Sequence, residues 1–223
     1  MFTGIVGQLG EVELVERGPR SLRLRIDAGP IGDSLAVGDS VAVNGACLTA
    51  VEVGPGRFAA DVVDETVDRT TLGSLQPGDR VNLELPMTAM GRFDGHLVQG
   101  HVDAVAEVAA LTSEGDGSRM RVALPGRLER YVVEKGSITI DGVSLTVAAV
   151  GDGWLEVALI PHTLEVTTLG WRTPGHLVNL EVDILAKYVE RLLEAVHLTP
   201  PAERTGEGTL TTEEVEQRPG AAI

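Results

Sequence analysis

The chain repeats itself once, and this internal duplication limits the folds open to it more than any other feature of the sequence. The segment SVAVNGACLTAVEVG (residues 40–54) matches SITIDGVSLTVAAVG (residues 137–151) at an offset of 97 residues. ETVDRTTLG (65–73) matches HTLEVTTLG (162–170) and VNLEL (81–85) matches VNLEV (178–182) at the same offset. TGIV (3–6) matches QGHV (99–102) at an offset of 96, so the copies differ in length by one residue. Four blocks in one order establish two copies of one unit of about 90 residues.

Each copy has the pattern of a series of short β-strands. Apolar and polar residues alternate in LRLRI (22–26), in RMRVAL (119–124) and through residues 41–53, as they do in half-buried strands. Gly-Asp pairs at 38–39 and 78–79 mark turns. Several strands in a unit of this size favour a closed or nearly closed Greek-key barrel, because closure removes exposed strand edges. Short helical turns are expected near ETVDRTTLG and at residues 127–132.

The pattern changes after Asp183, which is a suitable helix N-cap. Leu185, Val189, Leu192 and Val196 are spaced by 4, 3 and 4 residues, which predicts an amphipathic helix. Its apolar face could dock on its own barrel or self-associate. The predicted domains are therefore a first barrel at 1–96, a second at 97–183, an oligomerisation helix at 184–198 and a disordered, Pro-, Gly- and Glu-rich tail at 199–223.

Composition narrows the possible partners. The formal charge of −15 and the pI near 4.7 argue against nucleic acid or an anionic membrane as the main partner, although acidity also serves solubility alone. A single cysteine excludes an intramolecular disulfide and a Cys-rich metal site. No signal peptide and no apolar run of membrane-spanning length is visible, so a soluble cytoplasmic protein is expected.

Positions where the two copies agree or differ are the candidates for chemistry. Thr49 and Thr146 agree, and each is expected in a buried strand where its hydroxyl needs a partner, either the backbone or a ligand. Cys47 and Ser144 stand two residues before these threonines and so on the same strand face. A lone cysteine is often a small hydrophobe, but its pairing with a second polar group favours a functional site.

A second group of candidates surrounds the TGIV and QGHV blocks. His101 replaces Ile5, so only the second copy carries a proton carrier there, although a lone histidine is often structural. Phe2, beside TGIV, suggests stacking rather than core packing, and Lys135 is either solvated or functional. The other four histidines show no zinc-binding spacing, so no metal is expected: His96, His162, His176 and His197.

Taken together, the motifs resemble those of riboflavin synthase, an enzyme family assembled from two lumazine-binding repeats. The resemblance lies in MFTGIV, NGACLTAVEV, GHLVQGHVD, KGSITIDGVSLTV, IPHTLEVTTLG and VNLEVD, and it covers residues 1–196 in register. The predicted fold is therefore all-β, with two tandem six-stranded Greek-key barrels followed by a C-terminal α-helix. Ala46 departs from the family pattern, in which cysteine is frequent, and His162 stands where an acidic or aromatic residue is common.

The resemblance implies a dismutation of two 6,7-dimethyl-8-ribityllumazine molecules. One molecule gives a four-carbon unit to the other, which yields riboflavin and 5-amino-6-(ribitylamino)uracil. No cofactor is expected, because oxidation and reduction cancel between the two substrates. The family forms its working site between the first barrel of one subunit and the second barrel of another, and the C-terminal helix gathers three subunits. Association with a lumazine synthase shell stays open.

Site residues follow from the resemblance, motif by motif. Positions implicated in turnover correspond to Ser40, Cys47, His101 and Asp183, with Phe2 as an aromatic near the site. Substrate-binding positions assigned to the first barrel are Gly4, Ile5, Val6, Cys47, Leu48, Thr49, Asp61, Val62, Val63, Asp64, Glu65 and Thr66. Those assigned to the second are Gly100, His101, Val102, Lys135, Ser144, Leu145, Thr146, Ile160, Pro161, His162, Thr163, Leu164 and Glu165.

Two other functions compete with the synthase. Some relatives keep both barrels but carry lumazine or flavin without turnover, and the presence of Cys47, His101, Phe2 and a polar second site favours the enzyme over this class. A flavin reductase built on a similar barrel would need a following nucleotide-binding α/β domain, whereas this chain repeats the barrel.

Overall fold

A computed structural model describes residues 1–18 and 21–198. Met1–Tyr188 form one compact unit, which contains both barrels and the start of the C-terminal helix. Within the described residues no helix is long and apolar enough to cross a membrane. The tail predicted at 199–223 lies outside the described residues.

The first repeat folds into a closed, six-stranded antiparallel barrel. Its strands pair in the cyclic order β1-β2-β5-β4-β3-β6, and β6 closes the barrel by pairing with β1. The strands are β1 (Gln8–Arg17), β2 (Ser21–Asp27), β3 (Ser40–Val43), β4 (Ala46–Gly54), β5 (Arg57–Val63) and β6 (Arg80–Glu84). Its helices are α1 (Pro30–Asp33), α2 (Asp64–Arg69) and the 3₁₀ turn Thr71–Ser74.

The second repeat forms a second closed barrel with the same pairing order, which confirms the predicted fold class. The strands are β7 (Ala104–Glu114), β8 (Gly117–Ala123), β9 (Ser137–Ile140), β10 (Val143–Gly151), β11 (Trp154–Leu159) and β12 (Leu177–Val182). The helices are α3 (Gly126–Glu129), α4 (Pro161–Val166), the 3₁₀ turn Thr168–Trp171 and α5 (Ile184–Leu198). The helical turns expected near 65–73 and 127–132 are thus present.

Period-two alternation places each core inside its barrel. On β2, Leu22, Leu24 and Ile26 are buried while the arginines between them face outward. Each barrel also carries two register shifts at equivalent places, on β1 and β4 in the first and on β7 and β10 in the second. Such bulges add a residue to one strand and bend it, which helps a short sheet to close.

The single-residue difference between the copies lies just before β9. Gly38 and Lys135 are equivalent, because the backbone N–H of each donates to a strand carbonyl, that of Ala50 and of Val147 respectively. The offset is 96 up to α1 and α3 and 97 from these residues onward, so the extra residue falls between Glu129 and Lys135. Both positions have a positive φ, 97° for Gly38 and 66° for Lys135.

The two barrels meet across a pseudo-twofold axis. The Asn82 amide donates to the carbonyl oxygen of Asp141 at 2.8 Å, and the Asn179 amide donates to that of Asn44 at 2.8 Å. Gly45 and Gly142 face each other there, and a Cβ on either would lie 2.7 Å from the other's backbone nitrogen. This reciprocal contact holds the turns that precede β4 and β10 against each other.

Candidate active site

The glycine segment that precedes each barrel, residues 3–6 or 99–102, packs on the other barrel. The Gly100 carbonyl, which precedes the second barrel, accepts a hydrogen bond from the Cys47 backbone N–H of the first barrel at 2.8 Å. The Gly4 carbonyl, at the start of the first repeat, accepts from the Ser144 N–H of the second barrel at 2.7 Å. The assignment of Gly4, Ile5 and Val6 to the first-barrel site, and of Gly100, His101 and Val102 to the second, is therefore wrong, because each segment packs on the opposite barrel.

Both segments need glycine at the point of contact. Gly4 and Gly100 each have φ of 78°, in the left-handed region. A Cβ on Gly100 would lie 2.7 Å from the Cys47 Cβ and 3.0 Å from the Phe2 ring, and a Cβ on Gly4 would lie 2.6 Å from the Ser144 Cβ. The close approach of segment and strand in each pair therefore depends on the absence of a side chain.

A pocket of about 290 Å³ lies where the Gly100 segment meets the first barrel. Cys47 forms part of its wall from β4, and Glu65 and Thr66 from α2. His101 and Val102 follow Gly100 along a second wall. The pocket thus brings together residues that are predicted for two separate sites. Further lining residues, which are not among the predicted ones, are Ala46, Arg69, Thr70, Asp103 and Arg127.

Strand direction decides which predicted residues can offer a side chain to this pocket. Thr49 pairs with Ser40 across β3 and β4 and is exposed, and Thr146 is exposed on β10, so the expected burial of both threonines is wrong. Alternation explains it: Leu48 and Leu145 point into the barrel cores, and their threonine neighbours therefore point out.

Other predicted contacts are also limited by burial. Val62 is 1% exposed and belongs to the first core, so it and the two core leucines can offer a ligand only backbone groups. Phe2 is fully buried against Ala42 and Val98, with Cys47 packed on the same cluster. The expectation that Phe2 stacks on a ligand is therefore wrong, because its ring is part of the support beneath Cys47.

The second site centres on Ser144. Its hydroxyl lies 2.7 Å from Nδ1 of His96, and Nε2 of that imidazole is buried without a hydrogen-bond partner among the described residues. Burial lowers the pKa of His96, and the negative charge of Asp183 acts against this shift. His96 is not among the predicted site residues. The signal that could have found it is its place in the linker between the repeats, where it has no counterpart in the duplication.

The remaining predicted residues occupy the rims of the two barrels. Asp183 caps α5 as predicted, since its carboxylate accepts the Leu185 N–H at 3.0 Å. Lys135 is exposed in its left-handed conformation, and Asp61 lies 3.6 Å from Arg23 on the outer face of β5. The exposed residues are Ile160, Pro161, His162 and Glu165 around α4, together with Ile5 and Val63. The half-buried residues are Thr163 and Leu164 on α4, Asp64 on α2, and Val6.

Comparison with known proteins agrees with this architecture. The family described as lumazine binding domain matches twice, at residues 3–86 and 99–183. Riboflavin synthase of Mycobacterium tuberculosis is 51% identical over 199 residues, which is 87% of this chain and 99% of that protein. Riboflavin synthases of Actinobacillus pleuropneumoniae and Bacillus subtilis are 43% and 40% identical over 193 residues, in each case 86% of this chain and 90% of the relative.

Solved structures extend the comparison to ligand complexes. LumP complexed with riboflavin matches with a TM-score of 0.76 and 28% identity, over 82% of this chain and 99% of LumP. LumP complexed with 6,7-dimethyl-8-(1'-D-ribityl) lumazine matches with a TM-score of 0.75 and 27% identity over the same shares. With a duplicated lumazine-binding domain and relatives 40–51% identical over most of its length, the chain belongs to the riboflavin synthase family.

Proposed function

We propose that the protein converts two molecules of 6,7-dimethyl-8-ribityllumazine into riboflavin and 5-amino-6-(ribitylamino)uracil. The observation that carries the proposal is the pair of sites built on one backbone plan, Cys47 beside Gly100 and Ser144 beside Gly4, because the reaction joins two copies of one substrate. A four-carbon unit leaves one lumazine and joins the other, and atoms and electrons balance without a co-reactant. Holding both substrates in place makes the bimolecular step effectively unimolecular.

The two sites of one chain differ in the groups they offer. The first pocket has the Cys47 thiol and the His101 imidazole on its walls, whereas the second site has a serine hydroxyl paired with the buried His96. Such unequal surroundings suit a reaction in which one substrate donates and the other accepts. Cys47, His101, Ser40 and Asp183 are the residues assigned to turnover, and Phe2 supports Cys47 from beneath.

The proposed working unit is a homotrimer in the cytoplasm, with each complete site shared between two subunits. Support comes from α5, where Leu185, Val189 and Leu192 are each more than half exposed in the spacing expected for self-association. A single apolar stripe left in water on one helix is typical of a contact surface. Enclosure within a lumazine synthase shell is a further proposal, to be tested by co-purification.

The test is to incubate the purified protein with 6,7-dimethyl-8-ribityllumazine, without air and with a chelator present, and to follow riboflavin by absorbance. We expect one riboflavin for every two lumazines consumed, with no metal, flavin or nicotinamide added. The likeness to LumP favours a carrier as the second candidate. Tight binding of the lumazine without riboflavin formation at any pH would establish the carrier and overturn the synthase.

A further inference from the structure

Two buried carboxylates occupy equivalent positions near the ends of the last strand of each barrel. Glu84 on β6 is 8% exposed and Glu181 on β12 is 4% exposed. The Glu84 carboxylate accepts the backbone N–H of Thr3 at 2.6 Å and of Gly4 at 3.0 Å, one on each oxygen. Glu181 accepts from Gln99 at 2.7 Å and Gly100 at 3.0 Å in the same way. Each carboxylate therefore holds the glycine segment that precedes its own barrel.

The held segments connect each carboxylate to the opposite barrel. Glu181 fixes the Gly100 N–H, and the Gly100 carbonyl accepts from the Cys47 N–H at 2.8 Å. Glu84 fixes Gly4, and the Gly4 carbonyl accepts from the Ser144 N–H at 2.7 Å. Through these hydrogen bonds, Glu181 of the second barrel is linked to the backbone of Cys47 in the first barrel. Glu84 of the first barrel is linked in the same way to the backbone of Ser144 in the second.

A buried charge at these positions has an energetic cost that a purely apolar packing contact would avoid. Desolvation by burial raises the pKa of both carboxyls, that of Glu181 to about 7, against the hydrogen bonds from the segments. Hydrogen bonds to an ionised acceptor are roughly twice as strong as neutral ones, and two parallel bonds fix direction as well as distance. The repetition of this costly arrangement in both halves points to a shared demand for a precisely placed segment.

We propose that Glu181 is a positioning residue for the first-barrel pocket and Glu84 for the second-barrel site, each acting on the opposite barrel through the glycine segment that it holds. The inference rests on the proposed function, because the pockets concerned are those assigned to the substrates. Neither carboxylate needs to touch a substrate for this role.

Cys47 offers a readout that belongs to one barrel alone, since it is the only cysteine in the sequence. The experiment measures the rate at which iodoacetamide alkylates Cys47 in the full-length protein and in Glu181→Gln, Glu84→Gln and the exposed control Glu107→Gln. In Glu181→Gln we expect alkylation to be about tenfold faster, the effect of losing roughly one charge-assisted hydrogen bond over the thiol. Glu84→Gln and Glu107→Gln should alkylate like the wild-type protein, although Glu84 is in the same barrel as Cys47.

A second variant keeps the test decisive if Glu181→Gln folds poorly, as judged by its thermal transition. Gly100→Ala retains the carboxylate but places a methyl group 2.7 Å from the Cys47 Cβ, so it should displace the same segment and accelerate alkylation as well. Equal acceleration in Glu84→Gln and Glu181→Gln would overturn the crossed arrangement. Unchanged alkylation in both Glu181→Gln and Gly100→Ala would overturn the positioning role itself.

Turnover supplies a second readout that distinguishes this inference from the proposed function. In Glu181→Gln we expect KM for the lumazine to rise and kcat to fall, while Glu107→Gln keeps both at wild-type values. If the wild-type protein makes no riboflavin, the proposed function fails, and the alkylation rates still decide whether Glu181 positions the wall over Cys47. Wild-type kinetics in Glu181→Gln would contradict the positioning role.

Discussion

The pocket beside Cys47 and the site beside Ser144 are formed by equivalent backbone segments of the two repeats, but their side chains differ. At equivalent positions the first has Arg69 and Glu65 on α2, and the second has Val166 and His162 on α4. The first pocket is lined by the ionisable side chains of Glu65, Arg69, His101 and Asp103. Beside Ser144, the side chain within hydrogen-bond distance is that of His96. The duplication therefore leaves two sites with equivalent backbone contacts and different side chains.

Separating the subunits should have the largest effect on turnover. The variant Val189→Glu/Leu192→Glu places charges on the exposed apolar stripe of α5 and should yield monomers in sedimentation. Turnover should fall by roughly a hundredfold or more, because two substrates on different subunits lose the advantage of proximity. Arg191→Ala on the same helix should leave both oligomer and turnover intact. Monomers with full activity would show that both pockets of one chain work together.

Removing the ionisable groups of the first pocket should have the next largest effect. We expect Cys47→Ser and His101→Gln each to lower turnover by roughly tenfold or more, because a positioned acid or base typically contributes about a hundredfold or more. Ligand affinity in fluorescence titration should change much less. Ser144→Cys should not rescue Cys47→Ser, because the two sites do different chemistry. Wild-type turnover in both single variants would show that Cys47 and His101 serve only in packing.

The carboxylates beneath the glycine segments predict a pH effect on stability. Burial raises the pKa of Glu181 from 4.5 to about 7, with Asp103 adding to the rise, so between these values the folded state retains a proton that the unfolded state releases. Raising the pH through this window should therefore lower the free energy of unfolding of the wild type relative to Glu181→Gln, by roughly 2–3 kcal/mol between pH 5 and pH 8. Urea titrations at pH 5 and pH 8 measure it; a difference that is equal at both pH values would contradict the shift.

The smallest effect is expected at Lys135, which holds a left-handed backbone where the first repeat has Gly38. A non-glycine residue in this conformation costs about 1 kcal/mol or more. Lys135→Gly should leave the fold as stable or slightly more stable, and it should lower turnover because it removes the side chain assigned to the ligand. A variant with unchanged turnover would mean that the strained lysine has no part in the site.

The strands, the turns and the helix cap at Asp183 could be predicted because they follow from patterns within a few residues. The two barrels could be predicted because the sequence repeats at an offset of 96–97 residues and its motifs resemble those of a known family. The exchange of segments could not be predicted, because Gly4 and Gly100 are equivalent in the repeat and nothing in the sequence says which copy each one meets. The burial predicted for Thr49 and Thr146 is wrong, although the leucines beside them indicate which face points inward.

Burial explains the other differences between prediction and structure. Phe2 is predicted to stack on a ligand because it stands beside the TGIV block, but its backbone pairs with Val98 and its ring is buried against Ala42 of the first barrel. His96 could not be predicted as a site residue, because it enters the site through the Ser144 hydroxyl, which is 48 residues away in the chain. Such long-range contacts leave no local pattern.

Subunit complementation tests most directly the claim that two unlike sites cooperate across subunits. Cys47→Ser damages only the first pocket, and Ser144→Ala, which leaves His96 without its partner, damages only the second. In mixed oligomers assembled from equal amounts of both variants, we predict that turnover exceeds that of either variant alone. About a quarter of the sites should combine an intact first pocket with an intact second site, since each is drawn independently from two kinds of subunit. Turnover no higher than the average of the two variants would contradict the account.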